Sequence, residues 1–417
     1  MDSAEGDMMS ENSMLTFDEA LAVIHRSVST SEPVHVALEK ALGTVAAEGI
    51  HSSVDLPPAD SSAMDGYAFA YMGQRKGDNL PVTGVSMAGE PFGGVVQKDQ
   101  AVKIMTGGIV PQGCDAVIPF EEVEESRDSI CLKADAAFGT NIRFRGEEVG
   151  KGEILVQAGT LLDSREIGMV AAGAVPQVKV IQRPRVALLT TGTELTSLGE
   201  PLSPGRIVNS NHYFLSARLR ELGCDVLPLG TVPDDMKRLK SAFIEGLEAD
   251  AIISTGGVSV GDRDLVKNSL SELGFDLGFW RVLMRPGKPV LFGMLEGKLV
   301  FGLPGNPAAC GAAFELFVVP ALRRLAGMEA GKEAVIRVAV TQPVRSRRGR
   351  DSFIWGVLKR RENSFLFTPK QRQGSGQHRS MAGANALLRV PPDLGDLSGG
   401  WEGDAFPLRQ RLLGGVL

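Results

Sequence analysis

Cysteine, histidine and aromatic side chains are all scarce in this chain. The four cysteines among 417 residues, Cys114, Cys131, Cys224 and Cys310, are too few for a disulfide scaffold. They lie at least 17 positions apart, which excludes a CxxC redox or zinc motif. The five histidines, His25, His35, His51, His212 and His378, are scattered, so there is no HExxH, and general-base chemistry would fall to carboxylates or lysine. Neither a GxxxxGK[ST] phosphate loop nor a GxGxxG after the first strand of an α/β unit is present. No apolar run reaches the ~18 residues of a membrane span, and the longest, Ala308 to Val319, contains Glu315. The acidic start MDSAEGDMMSENS lacks the cationic and apolar regions of a signal peptide. A cytoplasmic protein with buried thiols and no membrane partner is expected. The net charge of −6 argues against a nucleic-acid partner.

Glycine, in contrast, is abundant. The 50 glycines are about 12% of the chain against roughly 7% in ordinary proteins, and they show no collagen-like triplet period. That many glycines predict tight turns and places where backbone approaches a ligand closely. Charge is uneven: residues 331–417 hold 15 basic and 7 acidic side chains, or +8, leaving −14 on the first 330. The basic end suits an oxyanion.

The length predicts two to four domains. Residues 1–13 read as a flexible tail. Thr16 and Glu19 form a capping box for a helix carrying Phe17, Ala20, Leu21 and Ile24. A second helix is expected over Val36–Ile50. From Leu56, short β-like runs such as VKIM (102–105) and DAVIPF (115–120) alternate with turns. Asp163 or Ser164 is expected to cap a helix running to about Ala172. VALLT (186–190) reads as a buried parallel strand and opens a strand–helix alternation ending near Leu325, the pattern of a doubly wound α/β domain. From Ala334, short alternating runs predict a small β-barrel or sandwich. The fold class is therefore a mixed α/β multidomain chain, with a doubly wound domain, a β-rich domain, a small helical/β domain and a C-terminal β domain.

In open α/β sheets, ligands bind beyond the carboxyl ends of the strands. Three turns fall there: TTGTEL (190–195), with Gly192 and Glu194; STGGVSVGDRD (254–264), with Gly256, Gly257, Ser259, Asp262 and Asp264; and LPGNP (303–307), with Pro304 and Pro307. Backbone N–H groups in glycine turns can cradle a phosphate, and carboxylates beside it suit a bridging Mg²⁺. GGVSVG also matches the GxSxG nucleophile elbow on Ser259, with His378 as a late histidine, but there is no HGGG motif and valines flank the serine. Outside this domain, Asp65 stands before a glycine in SSAMDGYA and Thr106 precedes two glycines in KIMTGG. RPGKP (285–289) sets Arg285 and Lys288 around a Pro-Gly turn. Arg345, Arg347, Arg348 and Arg350 cluster in the basic segment, followed by GSG (374–376) and Arg379. Guanidinium groups suit bidentate oxyanion binding.

Read in order, SSAMDGYA, IMTGGIVPQGCDAVIPFEEV, RFRGEEV, LLTTGTEL, IVNSN, STGGVSVGDRD, RPGKP, LPGNP and QGSG resemble the MoeA family of molybdopterin molybdenumtransferases, which includes a domain of gephyrin. The resemblance runs from about residue 14 to 417. It implies insertion of molybdate into adenylylated molybdopterin with release of AMP, dependence on Mg²⁺, and a homodimer with active clefts between subunits. It also implies a MogA-like domain over 183–330, a discontinuous dimerisation domain from 14–50 and 147–182, a β-rich insert over 51–146 and a C-terminal β domain over 331–417. A MogA-type adenylyltransferase and molybdoenzyme acceptors are implied partners. By motif, Asp65, Thr106, Glu148, Glu194 and Asp264 match catalytic positions, and Asp65, Glu194, Asp234 and Asp264 match metal-holding ones. Gly192, Gly256, Gly257 and Ser259 match the substrate cradle; Arg285, Lys288, Pro289, Pro304, Pro307, Arg350 and Ser375 match the oxyanion pocket. Two departures stand out: Arg285 where many members have lysine, and Ala309 where a serine is frequent. A nucleotidyltransferase or pyrophosphatase using the α/β domain alone, and a scaffold protein, are the alternatives.

Overall fold

The structure, a computed structural model, describes residues 14–257, 265–328 and 335–408. Two compact units divide the chain, one of Met1–Val34, Gly43–Ala47 and Val180–Leu417, the other of His35–Leu42 and Glu48–Lys179. The expected capping box opens the first helix, α1 (Phe17–Ser27): Glu19 N–H donates to Thr16 Oγ1, and Thr16 N–H donates back to the Glu19 carboxylate at 2.8 Å. Phe17, Ala20 and Ile24 form its buried face.

In the second unit, β1 (Gly66–Phe69), β2 (Asn79–Ser86), β3 (Ala101–Ile104), β4 (Ala116–Pro119), β5 (Val123–Glu125) and β6 (Ser129–Leu132) form a six-stranded sheet ordered β4-β1-β3-β2-β6-β5. Tyr67, Phe69, Leu80, Ile118 and Ile130 belong to its core. β1 packs so tightly beside β4 that a Cβ on Gly66 would lie 2.0 Å from the Ile118 carbonyl oxygen. The later helix α2 (Ser164–Ala172) has Asp163 as its N-cap in a second capping box. The helix expected over Val36–Ile50 does not form. Pro33–Ala37 is a strand and Leu38–Lys40 a single 3₁₀ turn. Val34 and Val36 alternate with Pro33 and His35, as β-branched residues in a strand do. Leu38 N–H is taken by the carbonyl of Pro176, and Gly43 turns the chain at φ +76.

The α/β part of the first unit contains β7 (Arg185–Thr191), α3 (Ser210–Glu221), β8 (Asp225–Val232), α4 (Met236–Gly246), β9 (Ala251–Thr255), α5 (Leu265–Glu272), β10 (Asp276–Trp280), β11 (Leu291–Leu295) and β12 (Lys298–Leu303). The sheet order is β8-β7-β9-β12-β11-β10. β8, β7, β9 and β12 are parallel, while β11 runs antiparallel to both its neighbours. Val186 and Leu188 pack with Leu215 and Leu219 of α3, whereas Ala187 and Leu189 pack with Leu239 and Phe243 of α4. Burial on both faces is why VALLT is continuously apolar rather than alternating. A helical segment follows β12: α6 (Pro307–Ala313), a π-helical turn over Phe314–Val318, and α7 (Val319–Leu325). Glu315 lies in that turn, its side chain 8% exposed, and accepts two hydrogen bonds from the Arg218 guanidinium at 2.7 and 3.1 Å.

The C-terminal part resolves the barrel-or-sandwich alternative. β13 (Ile336–Val340), β14 (Asp351–Arg361), β15 (Ser364–Pro369), β16 (Ala386–Val390) and β17 (Glu402–Pro407) run β14-β15-β13-β17-β16, and β16 pairs back to β14, closing a five-stranded barrel. Among the described residues, no helix is long and apolar enough to cross a membrane.

Candidate functional site

At the carboxyl edge of the α/β sheet the ends of β7, β9 and β12 meet. Gly256, just beyond β9, donates its N–H to the Leu303 carbonyl of β12 at 3.2 Å. Its φ is +88, and a Cβ there would stand 2.1 Å from the carbonyl oxygen of Thr191. Only glycine allows that approach without strain. A Cβ on Gly305 would in turn come within 3.6 Å of the Gly256 Cα, so LPGNP closes onto the same spot. The Glu194 carboxylate folds back over its own turn, 2.7 Å from where a Cβ on Gly192 would be.

Polar side chains, exposed at Asp234 and Arg206 and buried at Asn209 and Asn211, hold these turns. Asp234 accepts a hydrogen bond from Thr191 Oγ1 at 2.7 Å and one from Thr193 N–H at 3.4 Å, so it braces the TGTEL turn. The Arg206 guanidinium donates to the carbonyls of Thr193 and Leu195. Asn209 caps α3 and donates to Thr190 Oγ1 at 2.6 Å and Thr231 Oγ1 at 2.9 Å. Asn211 donates to Thr255 Oγ1 at 3.0 Å and to the Gly305 carbonyl at 2.8 Å, tying the end of β9 to LPGNP. The sequence presents these asparagines only within the IVNSN motif. The signal available in IVNSN is two amides in a segment with apolar strands on either side.

A second cluster gathers around α6. Asn306, the N-cap, makes no side-chain cap bond. Instead the backbone carbonyl of Ser375, from the barrel part, accepts from Ala308 N–H at 2.8 Å and Ala309 N–H at 3.3 Å, while Asn306 Nδ2 lies 3.4 Å from Ser375 Oγ. In RPGKP, a Cβ on Gly287 (φ +107) would lie 3.5 Å from the Ala309 carbonyl. Met284–Arg285 pairs in parallel with Asp351–Ser352 at the start of β14, immediately after Arg350. Arg285, Lys288, Pro289, Pro307 and Arg350 are half-buried, Ser375 is exposed and Pro304 is buried. Pieces 285–289, 307–309, 350–352 and 375 are thus brought to one edge of the first unit.

In the second unit, Thr106 donates both its N–H (2.7 Å) and its hydroxyl (2.8 Å) to Asp65 Oδ1. Those two bonds hold the exposed Asp65 carboxyl below its ordinary value, the backbone bond being the larger cause. Glu148 is exposed in the RGEEV loop, its N–H donating to Leu56 O. Asp55 and Asp60 fasten that loop through the Arg145 side chain, at 2.6 Å, and the Arg145 N–H, at 2.8 Å; neither carboxylate is singled out by the sequence motifs.

Ser259, Asp262 and Asp264 lie outside the described residues. His378 Nε2 stands 2.7 Å from Ser210 Oγ at the start of α3, so its ring is engaged there. Among the described residues, no group of three His, Cys, Asp or Glu side chains is arranged to hold a metal ion. Burial raises the thiols of Cys114, Cys224 and Cys310 to about 12, which leaves them unreactive at neutral pH.

Three family models match: the MoeA N-terminal region (domain I and II) over residues 15–173, a probable molybdopterin binding domain over 187–324, and the MoeA C-terminal region (domain IV) over 337–408. The chain is 33% identical over 392 residues to a molybdopterin molybdenumtransferase of Haemophilus influenzae, covering 93% of this chain and 97% of that one. It is 36% identical over 371 residues to a molybdopterin molybdenumtransferase of Nostoc sp., covering 85% and 84%. A solved molybdopterin biosynthesis MoeA protein of Pyrococcus horikoshii superposes with a TM-score of 0.81 at 31% identity, covering 95% of this chain and 100% of that one.

Proposed function

The chain belongs to the MoeA family, and from that membership we propose how its loops divide the work of a molybdopterin molybdenumtransferase. The activity itself, insertion of molybdenum in molybdenum cofactor biosynthesis, follows from the relatives. The finer reading is that the substrates are adenylylated molybdopterin and molybdate, that AMP leaves, and that Mg²⁺ assists. The observation carrying this reading is the meeting of glycine turns and cationic loops at the first unit's sheet edge.

The adenylate end of the substrate would lie over the turns at 191–194 and 255–257, where Gly192, Gly256 and Gly257, all at positive φ, let the backbone come close to phosphate oxygens. Molybdate, a tetrahedral dianion, would be held by Lys288, Arg285 and Arg350 through charge-assisted hydrogen bonds and by Ser375 through its hydroxyl. Pro289, Pro304 and Pro307 stiffen the rim. Ala309 offers no hydroxyl where a relative with serine would, and Arg285 keeps charge while replacing a point ammonium with a fork.

The donor set suits Mg²⁺. Glu194 and Asp234 bracket one turn with carboxylate oxygens, and Mg²⁺ commonly takes one or two carboxylates together with phosphate oxygens. Asp65 and Asp264 match metal-holding positions by motif. When bound, Mg²⁺ would neutralise phosphate charge and polarise the scissile bond. Asp65, with Thr106 and Glu148, supplies the carboxylate chemistry. Held below its ordinary pKa, Asp65 is ionised at neutral pH and can orient a ligand through its charge. We assign the MogA-like domain to 183–330 and the remaining domains to 14–50 with 147–182, 51–146 and 331–417, and we expect a cytoplasmic homodimer served by a MogA-type adenylyltransferase and drained by molybdoenzymes.

The test is direct. Purified protein is given adenylylated molybdopterin, Mg²⁺ and molybdate, and AMP and molybdenum-loaded product are measured. Stoichiometric release of both supports the reading. Binding without AMP release points to a scaffold instead.

A further inference from the structure

We propose that Arg389 and Asp18 are positioning residues for the oxyanion pocket: together with Asp351 they strap the N-terminal segment across the RPGKP strand and fix Arg285, Lys288 and Arg350 as one cluster. The proposal rests on the pocket assignment above.

Three extended segments lie side by side in the first unit. Leu15 bridges in parallel to Val282, and its carbonyl accepts from Leu283 N–H at 2.8 Å. On the other side, the Leu283 carbonyl accepts from Asp351 N–H at 3.0 Å, and Met284–Arg285 pairs with Asp351–Ser352. The strand leading into RPGKP is thus sandwiched between the start of the N-terminal helix and the barrel strand that follows Arg350. RPGKP itself closes on the Lys288 carbonyl, which accepts from the N–H groups of Val282 and Val290, each at 3.0 Å.

Arg389, on β16, joins the two outer segments. Its Nε donates to Asp351 Oδ1 at 2.7 Å, while Nη1 and Nη2 donate to the two carboxylate oxygens of Asp18 at 2.9 and 2.7 Å. The guanidinium also sits 5.0 Å over the Phe17 ring, which is buried against Phe353 of β14. A planar fork is needed to serve two carboxylates and a ring at once, which lysine cannot do. Asp351 is 3% exposed and immediately follows Arg350, so losing its Arg389 partner releases a buried carboxylate directly beside a pocket cation. Asp18 lies at the solvent-facing end of the strap, its side chain 65% exposed.

The test compares Asp18→Asn, Arg389→Gln, Asp18→Glu and Arg350→Gln in the full-length enzyme by steady-state kinetics, varying molybdate and adenylylated molybdopterin separately. Asp18→Asn and Arg389→Gln are expected to raise KM for molybdate about tenfold, as loss of outer supporting partners does at other sites. Their kcat at saturating molybdate and their KM for adenylylated molybdopterin stay at wild-type values, and Asp18→Glu recovers most of the molybdate KM. The strap is overturned by a molybdate KM within about twofold of wild type in Asp18→Asn, by both KM values rising together, or by a fall in kcat alone, the mark of a smaller folded fraction. If Arg389→Gln does not fold, Asp18→Asn decides, since its side chain is exposed. Arg350→Gln separates the two layers: a raised molybdate KM there with none in Asp18→Asn removes the strap only, whereas an unchanged KM in Arg350→Gln removes the pocket reading and the strap with it.

Discussion

The strand-end cradle and the Asp65 corner solve opposite problems. In the proposed cradle the groups that would approach the ligand are the glycine turns themselves, and side chains do the supporting: Asn209, Asn211, Thr255 and Asp234 each hold a turn or strand end. In the corner the proposed ligand-facing group is a side chain, the Asp65 carboxylate, and the backbone does the supporting through Thr106 N–H. Function and stability are therefore entangled in the cradle and separable in the corner. Altering a cradle residue is expected to disturb packing, whereas altering the exposed carboxylate is expected to change chemistry and little else.

The largest effect tests the separable side. Asp65→Asn keeps an Oδ1 acceptor for Thr106 and removes the charge. It should lower kcat about a hundredfold or more while the thermal unfolding midpoint stays unchanged. A wild-type turnover number from the folded variant would break the comparison by taking Asp65 out of the reaction. Next comes the entangled side. Gly256→Ala puts a Cβ 2.1 Å from the Thr191 carbonyl at φ +88, so the turn must open. Denaturant unfolding should show a loss of about 1–3 kcal/mol together with lost activity. A Gly256→Ala enzyme of wild-type stability and low activity would show that the cradle, too, separates the two properties.

Features set by short-range pattern were readable from the sequence, and those set by long-range contact were not. The Thr16–Glu19 capping box needs only three residues of context, and VALLT declares its two-faced burial by being apolar throughout. Glu296 and Gly297, both at positive φ, form the two-residue hairpin turn between β11 and β12. The misread helix at Val36–Ile50 has apolar spacing compatible with either state, and a backbone bond to Pro176, far along the chain, decides it. Barrel closure depends on β16 returning to β14, which alternation alone cannot distinguish from a sandwich. The glycine turns were legible because glycine is needed where φ is positive, as at Gly256 and Gly287. Asn211 was not, because its partners Thr255 and Gly305 lie 44 and 94 positions away. The Arg389 contact with Asp18 spans 371 positions.

The smallest effect contrasts the two regions under acid. Asp65 stays ionised as pH falls because its carboxyl lies below the usual range. The first unit carries the opposite device. His212, whose N–H is taken by the Asn209 cap at the start of α3, and His25 on α1 are both held below 6.5, first by burial and then by Arg220 and Arg324 respectively. Each leaves a buried Nδ1 without a hydrogen-bond partner, an environment that disfavours the charged ring. The unfolded chain takes up protons near pH 6.5 before the native rings do, so stability is full above that pH and declines as pH drops below it. Thermal unfolding of the intact protein should show a midpoint about one or two degrees lower at pH 5.5 than at pH 7.5 through these rings. His212→Gln should flatten part of that slope, whereas Asp65→Asn should leave it untouched. A slope unchanged by His212→Gln would mean that the start of α3 does not feel acid, and that both regions keep their protonation state together.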